Sequence, residues 1–204
     1  MRAVQLDVQL EIPLADAHRL AANRGSIGPE IIDMSRERAE QLVRSAGVTA
    51  YLRTDQKAQA METFEKLLAL KPDSAQLQFR MGELKLAQKD VSGAILHFRK
   101  AAELSPQASE PRIALATALM RDGKTADARA IAAQLQKDLP KSTAGLVLEG
   151  DVLASENKLP EALASYRKAF AMEPSPFAGA KVHQALLRTG KESDASAFVN
   201  EWLK

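Results

Sequence analysis

Apolar-rich segments of helical length alternate with short polar breaks along residues 41–204. The breaks lie at residues 88–90, 121–124, 156–158 and 188–191. Gly123 and Gly190, in two of these breaks, suit a residue that follows a helix and has a positive φ. Each pair of segments therefore predicts two helices joined by a short turn, which is a helix hairpin.

Three columns of residues recur in register through this region. Prolines stand 34 residues apart, where the second helix of each hairpin must stop because proline disfavours helix in the residue before it. A column of small residues lets the two helices of a hairpin approach closely, and a mostly aromatic column is expected to fill the space between hairpins. The columns are Pro72, Pro106, Pro140 and Pro174; Ala60, Ala94, Ala128, Ala162 and Ala195; and Phe64, Phe98, Ala132, Tyr166 and Val199.

A 34-residue helix hairpin with small, aromatic and proline columns resembles the tetratricopeptide repeat, or TPR. Gly82 and Gly150 stand at the small position of the family's first helix, whereas Glu149 occupies a place that is unusual for a charge. The resemblance implies an all-α fold, a right-handed α-solenoid of about 4.5 helix hairpins. The implied array covers residues 41–204, with repeats at 41–74, 75–108, 109–142, 143–175 and 176–204.

Two longer phrases carry a finer resemblance. LEGDVLASENKLPEALASYRKAF (148–170) and ALLRTGKESDASAFVNEWLK (185–204) are similar to bacterial TPR lipoproteins of the PEP-CTERM and exosortase exopolysaccharide systems. This resemblance implies the C-terminal part of a longer envelope protein, periplasmic or anchored to the outer membrane. Without it, the chain is expected in the cytoplasm.

The two ends of the array depart from the repeat. Residues 1–40 lose the register and are expected to form a divergent N-terminal capping segment, with a partner-binding arm as the alternative. A homodimer through this terminal face also stays open. At the other end, Trp202 is expected to pack into the preceding hairpin as a cap.

Function is expected to rest on the groove that first helices line in TPR arrays, because such a groove holds an extended peptide or a partner helix. The family's groove positions are the second, fifth, ninth and twelfth residues of each unit. The residues expected to contact a protein or peptide partner are Gln76, Phe79, Glu83, Leu86, Glu110, Ile113, Thr117, Met120, Val147 and Asp151. The last unit places Phe177, Ala180, Gln184 and Leu187 at the same positions.

The residue types in this groove favour one kind of ligand. Phe79, Ile113 and Val147 form an apolar stripe that is expected to be exposed, although the neighbouring repeat could instead cover it. The charged groove residues Glu83, Glu110 and Asp151 are acidic, which disfavours the family's Lys, Arg and Asn clamp for a C-terminal carboxylate. A segment with apolar anchors and Lys or Arg is therefore expected.

Composition narrows the function further. A net charge of +2, from 28 Lys and Arg against 26 Asp and Glu, provides no basic field for nucleic acid. No apolar run approaches the roughly 20 residues that span a bilayer, so direct membrane insertion of this chain is not expected. The chain has no Cys, its three histidines are scattered, and it contains none of the common nucleotide-binding, hydrolase or zinc-protease motifs.

These observations predict a non-catalytic interaction scaffold without a cofactor or metal. Two alternatives stay open, which are a general TPR adaptor or co-chaperone and the targeting segment of a longer enzyme. The partner itself has no signature in the sequence.

Overall fold

A computed structural model describes residues 57–202, except for the side chains of residues 57–60, 62 and 63. This range forms nine α-helices and contains no β-strand. The helices are α1 (Lys57–Leu70), α2 (Ala75–Ala87), α3 (Val91–Leu104), α4 (Ser109–Arg121), α5 (Thr125–Asp138), α6 (Ala144–Ser155), α7 (Leu159–Met172), α8 (Pro176–Arg188) and α9 (Glu192–Trp202). The predicted capping segment 1–40 and the first helix of repeat 41–74 lie outside the described residues.

The helices pair as hairpins, as the sequence pattern predicts. Helices α2, α4, α6 and α8 are first helices, and each is followed by its second helix, α3, α5, α7 or α9. Helices α1, α3, α5 and α7 each end two residues before a proline of the 34-residue column. The side chains of Ser74, Asp90 and Ser175 accept hydrogen bonds from backbone N–H groups in the first turns of α2, α3 and α8.

The small column is fully buried at each of its four positions whose side chains are described, as the expected close approach of paired helices requires. Ala94, Ala128, Ala162 and Ala195 are all 0% exposed. Where the turns were predicted, one residue in each has a positive φ. These residues are Lys89, Gly123, Asn157 and Gly190, so the left-handed conformation recurs at every described hairpin turn whether or not glycine occupies it.

The large rings of the aromatic column lie against their own hairpin as well as in the core shared by neighbouring hairpins. A Cβ placed on Gly82 would lie 2.6 Å from the Phe98 ring, and one on Gly150 would lie 2.3 Å from Tyr166. Phe98 also belongs to a core cluster that includes Leu115 and Leu119 of the next hairpin. The rings were expected to lie only between hairpins. They also pack within their own hairpin, because glycines on the first helix make room for them.

Candidate partner-binding face

The candidate site is the groove face, which we define as the second, fifth, ninth and twelfth unit positions on α2, α4, α6 and α8. Helices α4 and α6 contact one another directly, so the face continues from one hairpin to the next. Of the ten residues predicted to contact a partner, two are exposed, seven are half-buried and one is buried. The exposed residues are Gln76 and Glu110; the half-buried ones are Phe79, Glu83, Leu86, Ile113, Thr117, Met120 and Asp151.

Val147 is the buried residue, and its expected exposure is wrong. Its side chain is 7% exposed and belongs to a core cluster with Leu163, Val182 and Leu186. Val147, the fifth-position residue of α6, therefore packs in the core between two hairpins. Partner binding by the ten predicted residues stays a prediction, and Val147 could take part only as support beneath the face.

The apolar part of the face is concentrated on α2 and α4. The Phe79 ring lies 5.5 Å from the Phe98 ring, centroid to centroid, and the Arg80 guanidinium lies 5.7 Å from the Phe79 centroid. Phe79, Leu86, Ile113 and Met120 all pack against the core cluster while keeping part of their surface in solvent. These four side chains form a floor that is anchored on one side and accessible on the other.

Two of the three acidic groove residues are already paired with cations. Glu83 accepts from Arg80 at 2.7 Å, and Asp151 accepts from Lys181 at 2.5 Å. Glu110 is exposed in the first turn of α4, where a carboxylate interacts favourably with the helix N-terminus. Because the Glu83 and Asp151 charges are compensated within the face, the expected attraction of a Lys- or Arg-bearing ligand by acidic rims is much reduced.

Lys181 lies beside the groove positions of α8 and was not among the residues predicted from the sequence. Its Nζ lies 5.8 Å from the Tyr166 ring centroid and 5.6 Å from the Phe177 centroid, in addition to its bond with Asp151. The Tyr166 hydroxyl donates to Asp151 at 2.7 Å, and burial together with this bond raises the pKa of Tyr166 well above its usual range. Arg80 and Lys181 both occupy the sixth position of their repeats. This recurrence of a cation next to the groove positions is the sequence signal that could have revealed both residues.

Trp202 packs as the sequence argument expected. Its ring meets the Phe170 ring edge-on at 5.8 Å and stacks on Phe198 at 6.4 Å. A Cβ on Gly179 of α8 would lie 2.9 Å from the indole, so glycine allows this approach. The indole therefore joins α9 to both α7 and α8.

Within residues 57–202 no group of three or more His, Asp or Glu side chains is arranged to hold a metal ion. None of the helices described is long and apolar enough to cross a bilayer.

Two tetratricopeptide-repeat family models match the chain, over residues 46–109 and 85–146. A curated protein of Pseudomonas putida, "Probable biofilm formation methyltransferase WspC", is 34% identical over 95 residues. The match covers 47% of this chain and 22% of that protein, so the chain spans about a fifth of this relative.

Several solved structures share the fold. A thermophilic TPR protein of Thermus thermophilus has a TM-score of 0.63 at 19% identity, covering 82% of this chain and 90% of that one. PilW, a widely conserved type IV pilus biogenesis factor, has a TM-score of 0.63 at 20% identity, covering 82% and 76%. YrrB, a TPR protein with an unusual peptide-binding site, has a TM-score of 0.52 at 16% identity, covering 93% and 91%. The family models identify tetratricopeptide repeats within residues 46–146, and residues 57–202 have the all-α fold of TPR solenoids.

Proposed function

We propose that this chain is a non-catalytic scaffold that binds a peptide or a partner helix on its groove face. The observation that carries the proposal is the apolar floor on α2 and α4, where Phe79, Leu86, Ile113 and Met120 pack against one core cluster from two consecutive first helices and remain partly in solvent. Apolar side chains held in place by a core beneath them can anchor a partner at small cost in side-chain entropy. TPR proteins generally act as non-catalytic scaffolds, and YrrB shares the fold and is described as having a peptide-binding site.

The test compares three single variants of the whole chain as bait in extracts of the source organism. Ile113→Glu places a charge in the floor. Val147→Glu places one in the core and is expected to unfold the hairpins. Leu96→Glu alters a side chain on α3 that is 66% exposed and away from the groove face.

The proposal expects Ile113→Glu to stay helical and to lose a partner that both wild type and Leu96→Glu retain. Circular dichroism of each bait separates lost binding from lost folding. If folded Ile113→Glu retains every partner of the wild type, the floor is not the binding surface.

We further propose a bacterial envelope assembly, concerned with exopolysaccharide or protein sorting, as the setting. The support is the resemblance of residues 148–170 and 185–204 to envelope TPR lipoproteins. Fractionation of source cells with an antibody to this chain tests the setting, and recovery only in the cytosol would contradict it.

A second candidate is the interaction segment of a longer enzyme. The 34% identity to part of a protein named as a methyltransferase favours it. The envelope setting also implies a longer native protein, so the two candidates differ in enzymatic activity, which a methyltransferase assay on the native protein recovered from source cells measures. Methyltransferase activity of that protein would favour the second candidate.

A further inference from the structure

All four groove positions of α8 are exposed, whereas on α2 and α4 only the second position, Gln76 or Glu110, is exposed. Phe177 is 63% and Leu187 is 45% exposed, and Ala180 and Gln184 between them are exposed as well. At the fifth, ninth and twelfth positions of α2, α4 and α6, every residue is half-buried or buried. Among the described helices, no further first helix lies against α8 as α6 lies against α4.

The exposed side chains on α8 form a line with helical spacing. Phe177, Ala180, Gln184 and Leu187 follow one another at intervals of three, four and three residues, so they share one side of the helix. The line is about 15 Å long at 1.5 Å per residue, with a large apolar group at each end. Such a line matches the apolar stripe of an amphipathic helix, which anchors through residues at the same spacing.

The charged residues of α8 are all basic, which favours a partner with acidic side chains. Helix α8 contains Lys181, His183 and Arg188 but no acidic residue, whereas α2, α4 and α6 each contain at least one. Lys181 is paired with Asp151. Arg188 is exposed, and among the described residues its contact is with the Ala154 carbonyl at 3.5 Å. Arg188, which lies beside the apolar line, is therefore a cation without an acidic partner among the described residues.

From this combination we infer that the exposed side of α8 docks an amphipathic helix of another protein that carries acidic side chains beside its apolar stripe. The inference rests on the proposed scaffold function and specifies its partner. Phe177 and Leu187 hold the two ends of the stripe, and Arg188 pairs with an acidic residue of the incoming helix. Attraction to this cation determines which amphipathic helices are accepted, while the apolar contacts provide most of the affinity.

The experiment uses the full chain and two blocked synthetic helical peptides with the same leucine stripe. One peptide carries Glu and the other carries Lys on both flanks of the stripe. Fluorescence anisotropy of the labelled peptides measures binding to wild type, to Phe177→Ser/Leu187→Ser, to Arg188→Gln and to the control Leu96→Ser. All substituted residues are exposed, so the variants are expected to keep the helicity of the wild type.

The inference expects the acidic peptide to bind more tightly than the basic one. The double serine variant should weaken binding at least about tenfold, since the two apolar anchors are lost. Arg188→Gln should reduce both the preference for the acidic peptide and its dependence on salt. Leu96→Ser should bind as wild type does.

Three outcomes would overturn the inference. The first is equal binding of the two peptides, or no binding of the acidic one. The second is binding that survives the double serine variant; if Ile113→Glu, measured in the same assay, abolishes this binding, the scaffold function still stands on α2 and α4. The third is a wild-type dimer in sedimentation that the double variant dissociates, which would assign the α8 face to a second copy of this chain.

Discussion

The Tyr166 hydroxyl donates a hydrogen bond to Oδ1 of Asp151 at 2.7 Å, and the same oxygen accepts from Lys181. These residues belong to α7, α6 and α8, so one carboxylate joins three consecutive helices. The contact makes Asp151 a structural anchor of the face as well as a groove residue. A partner that reached this carboxylate would have to compete with Lys181.

Tyr166→Phe is expected to destabilise the fold by about 1–2 kcal/mol at neutral pH, because one hydrogen bond to a charged group is lost. Burial, the Asp151 hydrogen bond and the Asp151 charge all raise the pKa of Tyr166. A pKa that is higher in the folded state gives stability that is complete below the unfolded value of about 10 and is lost as pH rises beyond it. Urea unfolding between pH 7 and pH 11 should therefore show the difference between wild type and Tyr166→Phe narrowing above about pH 10. A difference that stays constant over this range would contradict the argument.

Gly82→Ala is expected to destabilise the fold, although alanine has the higher helix propensity. The added methyl group would lie 2.6 Å from the buried Phe98 ring, and overpacking of this kind costs about 1–3 kcal/mol against a gain of about 1 kcal/mol in propensity. In the hairpin of α4 and α5, the positions equivalent to Gly82 and Phe98 are Ala116 and Ala132. There the first helix carries a methyl group and the second helix carries no ring.

Phe98→Leu provides the matched background for that measurement. In this background Gly82→Ala should cost less, because the methyl group no longer meets a ring. Chemical unfolding of the four proteins in the cycle gives the coupling between the two positions. If Gly82→Ala lowers the free energy of unfolding equally in both backgrounds, the Phe98 ring is not the reason that position 82 requires glycine.

The hairpins were predictable because their determinants are local and repeat. The proline column marks where the second helices end, and the alanine column marks fully buried positions in these helices. Each signal depends on residues within one unit, so the 34-residue spacing makes it visible in the sequence.

The exposure and charge of the groove face could not be predicted in the same way. Val147 is buried because it shares a core with residues of α7 and α8, which no pattern within α6 reveals. Asp151 and Lys181 are paired although they lie 30 residues apart on different first helices. Exposure and pairing depend on the neighbouring hairpin, whereas the repeat pattern describes the hairpin itself.

Lys89→Gly is expected to stabilise the fold by about 0.5–1 kcal/mol. Lys89 has a φ of 65°, in the left-handed region that costs a residue with a side chain about 1–2 kcal/mol, and part of the gain is offset by the greater freedom of glycine in the unfolded chain. Asn157 has a φ of 60° at the equivalent turn. Because asparagine tolerates this region better, Asn157→Gly should stabilise less.

Thermal unfolding of the two variants beside Gly123→Ala tests the shared conformation of the turns. Gly123 has a φ of 76°, and a methyl group added to it would meet no atom within 4 Å beyond its own chain neighbours. Its replacement should therefore cost stability through backbone strain alone. A Lys89→Gly protein that melts at or below the wild-type temperature would exclude strain at this turn.

His97 is expected to make the fold less stable in mild acid. Its Nδ1 lies 2.8 Å from Oε1 of Gln78, whose amide nitrogen donates to the Pro72 carbonyl at 2.8 Å. Burial lowers the pKa of His97, the Lys85 charge lowers it further, and Asp90 opposes the change in part. A pKa below the ordinary value of 6.5 means that the unfolded chain binds the proton more tightly. The contribution of His97 is therefore complete above about pH 6.5 and is lost as pH falls towards the folded pKa.

His97→Asn tests this contribution, since the asparagine amide can donate to Gln78 but does not titrate. Between about pH 7.5 and pH 5 the wild type should lose more stability than the variant. The His97 ring protons in NMR spectra of the folded protein should titrate below 6.5. Titration at or above that value, with the same acid response in both proteins, would show that solvent or Asp90 offsets the burial. The hydrogen bonds from His97 to Gln78 and from Gln78 to Pro72 would then fix the start of α2 equally well in acid and at neutral pH.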